Sequence, residues 1–258
     1  MLALGIIIAL IFLLAGSYYD IFRKRVVPDW LSYSFLAVAL VYALLTGELN
    51  LTKAGGTAAI LLIGYLIYRM GYVGGADVLF LASLMLLLPL YAGAVPSMVL
   101  LLLASTVLMA VYLEARFFMG GWKLQPRTED IATAAIWIIG YAAVAYMLVG
   151  MGFQAFAVAA LLIGLVSAVF ALIKRDLNRS MVTWVAPKEI IEEDILAVEE
   201  MDRRIVEKLG LERLLTRKHI ERIRKAGLKK VPVYGGLPPY IPFMLVGVLA
   251  VALLSLKP

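Results

Sequence analysis

Eight apolar stretches, each close to the length that crosses a bilayer as a helix, dominate this chain of 258 residues. A helix rises about 1.5 Å per residue, so roughly 20 apolar residues cover the hydrocarbon of a membrane. The stretches run Leu2 to Tyr19, Trp30 to Leu45, Ala54 to Tyr68, Val78 to Tyr91, Val95 to Leu113, Ile131 to Val149, Phe153 to Ile173 and Tyr240 to Leu256. Lipid offers no hydrogen-bond partner to a backbone, so stretches of this kind cross as helices. The predicted fold class is all-α, a polytopic membrane protein with about eight transmembrane helices. Hydrophobic residues make up 63% of the chain and charged residues 16%. Soluble domains carry roughly 45–50% and about 25%, so a water-soluble enzyme with one large core is excluded.

The basic residues predict an orientation. No basic residue precedes the first apolar stretch, and Arg23-Lys24-Arg25 follows it directly. That order points to a retained first helix with its N-terminus outside, rather than a cleaved signal peptide. Alternating the later stretches puts 22 of the 24 Lys and Arg inside and leaves only Lys53 and Lys257 outside. Both termini are then outside, and the net charge of +6 reads as an orientation signal, with no nucleic acid as partner. Three regions follow: a transmembrane core over 1–173, a cytoplasmic helical domain over 174–236 and a C-terminal transmembrane helix over 237–258. Within the cytoplasmic domain, Pro187 opens a helical pattern that puts Ile191, Ile195, Val198, Ile205 and Leu209 on one face. A second pattern, Leu211 to Ala226, ends at Gly227, which reads as a C-cap. The cluster Arg222, Arg224 and Lys225 forms either a solvated face or a contact with anionic headgroups.

The chain has no cysteine and a single histidine, His219. Disulfides, thiolate metal sites and a cysteine nucleophile are therefore out, and a nitrogen ligand set for a transition metal is nearly so. Neither a metal nor a cofactor is expected. Chemistry at the membrane then falls to carboxylates, which are costly near hydrocarbon. Asp20 closes the first helix in Gly16-Ser17-Tyr18-Tyr19-Asp20, either as an interfacial anion neutralised by Arg23 and Lys24 or as a reacting group. Asp77 lies in Gly71-Tyr72-Val73-Gly74-Gly75-Ala76-Asp77, where three glycines in five residues loosen the backbone, either as a helix cap or as a reacting group. The alternation of spans puts both on the inner side. Two aspartates brought together there share a proton, so that one draws a proton from water while the other protonates a carbonyl oxygen. Peptide-bond hydrolysis is the reaction class that this pair suits.

The segments around the two aspartates resemble the type IV prepilin peptidases. Asp20, the basic loop Arg23-Lys24-Arg25 and the turn Val27-Pro28-Asp29 are similar to the first-aspartate region of that family. Gly74-Gly75-Ala76-Asp77 resembles its Gly-x-Gly-Asp motif, with Ala76 where the motif carries its second glycine. The absence of a cysteine-rich insertion, the late cytoplasmic segment and Pro238-Pro239-Tyr240-Ile241-Pro242-Phe243 are similar to the archaeal branch, which processes preflagellins and pilin-like proteins. The resemblance implies a membrane aspartic endopeptidase with Asp20 and Asp77 as the catalytic pair and Gly74, Gly75 and Ala76 shaping the backbone around Asp77. It implies as partner a prepilin-like or preflagellin precursor with a short basic leader, the class III signal peptide, cut at the cytoplasmic side of the cell membrane. Asp29 is either a cap for the second helix or a substrate contact. The acidic runs Glu129-Asp130 and Glu192-Glu193-Asp194 read as solvated helix starts. A proton- or cation-coupled transporter is the alternative, since paired carboxylates also make ion relays.

Overall fold

The computed structural model describes residues 2–23, 27–93, 95–121, 125–192, 194–235 and 238–255. All eight apolar stretches contain a helix. These are α1 (Leu2–Phe22), α2 (Asp29–Leu45), α3 (Leu51–Arg69), α4 (Gly75–Leu87), α5 (Ser97–Met119), α6 (Thr128–Gly150), α7 (Gln154–Ser180) and α10 (Ile241–Ser255). Five of them are long and apolar enough to cross a membrane, whereas α2, α4 and α10 have 17, 13 and 15 residues. Two short helices, α8 (Arg203–Leu209) and α9 (Arg217–Lys225), lie between α7 and α10.

The chain divides into two compact units, residues 1–105 with 182–258 and residues 106–181. In the second, α6 and α7 form a hairpin that turns at Gly152 (φ +82°), with Gly164 seated against the Tyr141 side chain. Arg175 closes the far end of the hairpin, donating to the Gln125 carbonyl at 2.6 Å while Asp176 accepts from the Gln125 N–H at 3.3 Å.

In the first unit, three phenylalanines tie α1, α2 and α4 together. The Phe12 and Phe35 rings stack at 4.6 Å, and Phe35 meets Phe80 at 4.9 Å with 61° between the planes. Glycines allow the close approaches that helix packing in lipid depends on. A Cβ on Gly16 would lie 2.8 Å from the Phe80 ring, and one on Gly5 would lie 2.8 Å from the Leu87 carbonyl oxygen. The start of α1 therefore meets the end of α4, and its end meets the start of α4. The two helices run antiparallel. Gly64 brings α3 against Val78 of α4, and Gly247 brings α10 against Leu101 and Ser105 of α5.

The fold departs from an all-α reading in two places. A two-residue strand pair, β1 (Tyr91–Ala92) with β2 (Val95–Pro96), follows α4. Between α7 and α10, β3 (Val182–Val185) pairs antiparallel with β4 (Val231–Tyr234), Val182 opposite Tyr234 and Val185 opposite Val231. The helix expected from Pro187 to Leu209 is replaced by turns, extended chain, one 3-10 turn (Val198–Glu200) and α8. The reason is visible in what gets buried. Ile190 is 2% exposed and Ile191 60%, the reverse of the predicted helical face. Extended backbone lets Leu196 and Ala197 bond the Arg213 and Pro232 carbonyls at 2.7 and 3.0 Å, so this stretch adds itself to the sheet. Ile190, Leu196, Leu211, Leu215, Ile220, Ile223 and Val231 form the core of this lobe. The second helix is present in shorter form as α9, and Gly227 follows its last turn with φ +66°, as its C-cap reading requires.

Candidate active site

Asp20 sits in the last turn of α1 and is 7% exposed. Its partner comes from a distant part of the chain. The Ile241 N–H, at the first residue of α10, donates to Asp20 Oδ2 at 3.1 Å. The first four N–H groups of a helix need partners from outside it, and those of α10 are fully accounted for. Ile241 bonds Asp20, Pro242 has no N–H, and Phe243 and Met244 both bond the Tyr240 carbonyl. Of the two cations expected to neutralise it, Arg23 is exposed and Lys24 lies outside the described residues.

Asp77 is the third residue of α4 and is half-buried. Its Oδ2 accepts from the Gly74 N–H at 3.3 Å, so it closes the start of the helix from inside. Gly74 is the N-cap, with φ −72° and ψ 146°. These angles are open to any residue, and the need for glycine is steric: a Cβ at 74 would stand 3.0 Å from Asp77 Oδ2. Gly75 is freer, its nearest neighbour being the Tyr68 ring at 3.5 Å. Ala76, in the first turn, is half-buried. The left-handed backbone that the glycine-rich run foretold falls on Gly71 alone, with φ +72°.

Antiparallel packing brings these two aspartates to one end of the α1–α4 pair. Gly16 lies one helical turn before Asp20, Phe80 lies three residues after Asp77, and Gly16 and Phe80 are in contact. Ile241 packs against Gly16 as well, with its Cγ2 3.1 Å from the ideal Cβ position. Asp29 is the first residue of α2, where its negative charge favours the helix start. Asp130 bonds the Arg127 N–H at 2.8 Å, and Glu192 pairs with Arg217 at 2.9 Å. Both acidic runs are thus occupied with local structure; Glu193 lies outside the described residues.

Sequence reasoning missed the part played by Ile241. Pro239 and Pro242 around Tyr240-Ile241 were its signal, because proline is tolerated in a first helical turn and marks its start.

Fold and site together define a class: a helical membrane protein with two acidic side chains at one end of an antiparallel helix pair. Residues 7–113, from α1 through most of α5 and with both aspartates, match the type IV leader peptidase family. The family is one of proteases that act on prepilin-type substrates. No curated protein and no solved structure matches the chain.

Proposed function

We propose that this chain is an aspartic endopeptidase that removes the short basic leader from prepilin-like or preflagellin precursors at the cytoplasmic face of the cell membrane. In this reading all eight apolar helices span, both termini are outside, and the ends of α1 and α4 that carry Asp20 and Asp77 face inward. Residues 1–173 form the catalytic core, 174–236 a cytoplasmic domain and 237–258 the last span. The observation that carries the proposal is the family match over 7–113, which includes both aspartates.

The chemistry needs only the two carboxyl groups and water. The ionised member takes a proton from water as its oxygen attacks the scissile carbonyl carbon, and the neutral member gives its proton to the carbonyl oxygen. The tetrahedral adduct then collapses. The C–N bond breaks, the nitrogen leaves as the amine with a proton from the newly protonated carboxyl, and a hydroxyl of the adduct returns its proton to the other carboxylate, so the acid product forms and the pair regains its single proton. A substrate helix lying in the membrane with its leader in the cytoplasm presents its scissile bond at the depth of this pair.

Purified protein in detergent or vesicles, mixed with a precursor and read as a gel shift, tests the reading. Leader removal by the wild type, and none by Asp20→Asn or Asp77→Asn, is the expected result. Full cleavage by either variant rejects the assignment. Treatment with a chelator is expected to leave the rate unchanged, and rescue by added metal would count against a two-aspartate mechanism.

A further inference from the structure

The turn that feeds chain into Asp77 is gripped by the lobe between α7 and α10. α3 ends in a Schellman motif: Gly71, with φ +72°, donates to the Tyr68 carbonyl at 2.8 Å, and Tyr72 donates to the Ile67 carbonyl at 3.3 Å. This swings the Tyr72 ring out of the helix, where it is 61% exposed. The guanidinium carbon of Arg213 lies 4.6 Å from the centre of that ring and 5.2 Å from the centre of the Tyr234 ring. Each ring is within reach of a cation–π contact.

Both lobe members are themselves fixed. Tyr234 is held in β4 opposite Val182, and its hydroxyl donates to Glu199. The Arg213 backbone is pinned by its carbonyl, which accepts from Leu196 at 2.7 Å. Arg213 Nε is buried and has no hydrogen-bond partner among the described residues, so the flat faces of the rings are what its guanidinium meets. Gly71 lies so close that a Cβ there would stand 3.3 Å from Arg213 Cγ and 3.4 Å from the Leu214 nitrogen. Around these contacts the surface is open. A groove of about 530 Å³ runs between Arg69, Met70 and Tyr72 on one side and Val198, Glu199 and Glu212 on the other.

We propose that Arg213 is a positioning residue: set over the Tyr72 and Tyr234 rings, it holds the Met70–Gly74 turn and thereby sets the place of Asp77 at the start of α4. The inference rests on the reading of Asp77 as a reacting group. Arginine suits the role because its planar cation stacks on rings, whereas the compact ammonium of lysine does not.

The experiment uses the full chain in vesicles and two readouts. The chain has no cysteine, so Val73→Cys gives a single site for a spin label in the turn. Label mobility and cleavage kinetics are compared in wild type, Arg213→Ala, Arg213→Lys, Tyr72→Ala and Tyr72→Phe. In Arg213→Ala and Tyr72→Ala the label is expected to loosen and kcat to fall about tenfold with KM within about twofold, since small misplacements of a reacting group cost that much. Tyr72→Phe keeps the ring and is expected to match wild type in both readouts, while Arg213→Lys falls with the alanine variants. Unchanged mobility in both alanine variants overturns the proposal whether or not the protein cleaves anything, and so does a loosened turn with unchanged kcat. Should Arg213→Ala not fold, Tyr72→Ala alters only an exposed ring and carries the test alone. Cleavage that survives Asp77→Asn overturns the proposal by removing the reading beneath it, and that failure is told apart because it leaves the label data untouched.

Discussion

Asp77 turns its side chain back to the N–H three residues before it, while Asp20 accepts from the first residue of a helix more than two hundred positions away. Both of those bonds survive replacement by asparagine, whose Oδ1 also accepts. Asp20→Asn and Asp77→Asn are therefore expected to insert and fold normally while cleavage falls by about 10²–10⁴-fold, the range that acid–base groups contribute. Circular dichroism and the gel-shift assay together check this. Glycine at 74 has a narrower purpose. A methyl group there would stand 3.0 Å from Asp77 Oδ2 and must displace it, whereas one at 75 meets nothing nearer than 3.5 Å. Gly74→Ala is thus expected to lower kcat clearly more than Gly75→Ala. The sequence made both aspartates visible, because acids at the edge of apolar helices are rare and costly. It could not separate the duties of Gly74 and Gly75, since that difference depends on where the Asp77 oxygen points.

Helix-level packing explains which small residues matter. Gly16 faces Phe80 and Ile241, both fully buried and unable to give way, so Gly16→Ala inserts a methyl 2.8 Å from the Phe80 ring. Overpacking of this kind costs about 1–3 kcal/mol. Here it also wedges apart the ends of α1 and α4 that carry the aspartates, so both the thermal midpoint in detergent and the cleavage rate are expected to drop. Gly140 has open space where its Cβ would go, and Gly140→Ala is the matched control that should change neither. Both glycines look alike in the sequence. Each apolar run revealed a helix, and five of the eight are long and apolar enough to cross a membrane. The β3–β4 pair stayed hidden, since four-residue strands gain meaning only from a partner some fifty residues away. Its tyrosine offers a pH test. Burial and the hydrogen bond to Glu199 raise the pKa of Tyr234 above its ordinary 10.0, so above that pH the unfolded chain loses a proton that the fold retains. The stability that Tyr234 contributes is full below pH 10 and drains away as the pH rises further. Trp184, in β3 opposite Pro232, is placed to report the opening by its fluorescence. Tyr234→Phe should remove this alkaline step.

Across the whole molecule, charge placement foretold an orientation, but apolar runs alone did not foretell how far each helix reaches. At about 1.5 Å per residue, the 13 residues of α4 cover roughly 20 Å and the 15 of α10 roughly 22 Å, against a hydrocarbon thickness of about 30 Å. The end of α4 is marked by Lys53, which is 2% exposed and whose ammonium group donates to the Leu86 carbonyl at 2.9 Å and to Glu48 at 2.7 Å. A cation set against the last carbonyls of a helix stabilises its C-terminus, and a cation at that place cannot lie deep in lipid without its partners. If α4 spans, the bilayer must thin around it or water must reach in along it, each at a modest cost per ångström of mismatch. The proposed hydrolysis by Asp77 requires water at the α4 start, so under that proposal lipid thickness and catalysis are expected to be coupled. Reconstituted into phosphatidylcholine vesicles graded only by acyl-chain length, the wild type is expected to cleave fastest in the shorter-chain members and to slow steadily as the bilayer thickens. Lys53→Met, which removes the charge that marks the end of α4, should flatten that dependence while leaving Asp20 and Asp77 untouched. A rate that is level across the series, or highest in the thickest bilayer, would show that α4 does not limit the depth at which the two carboxylates meet their water.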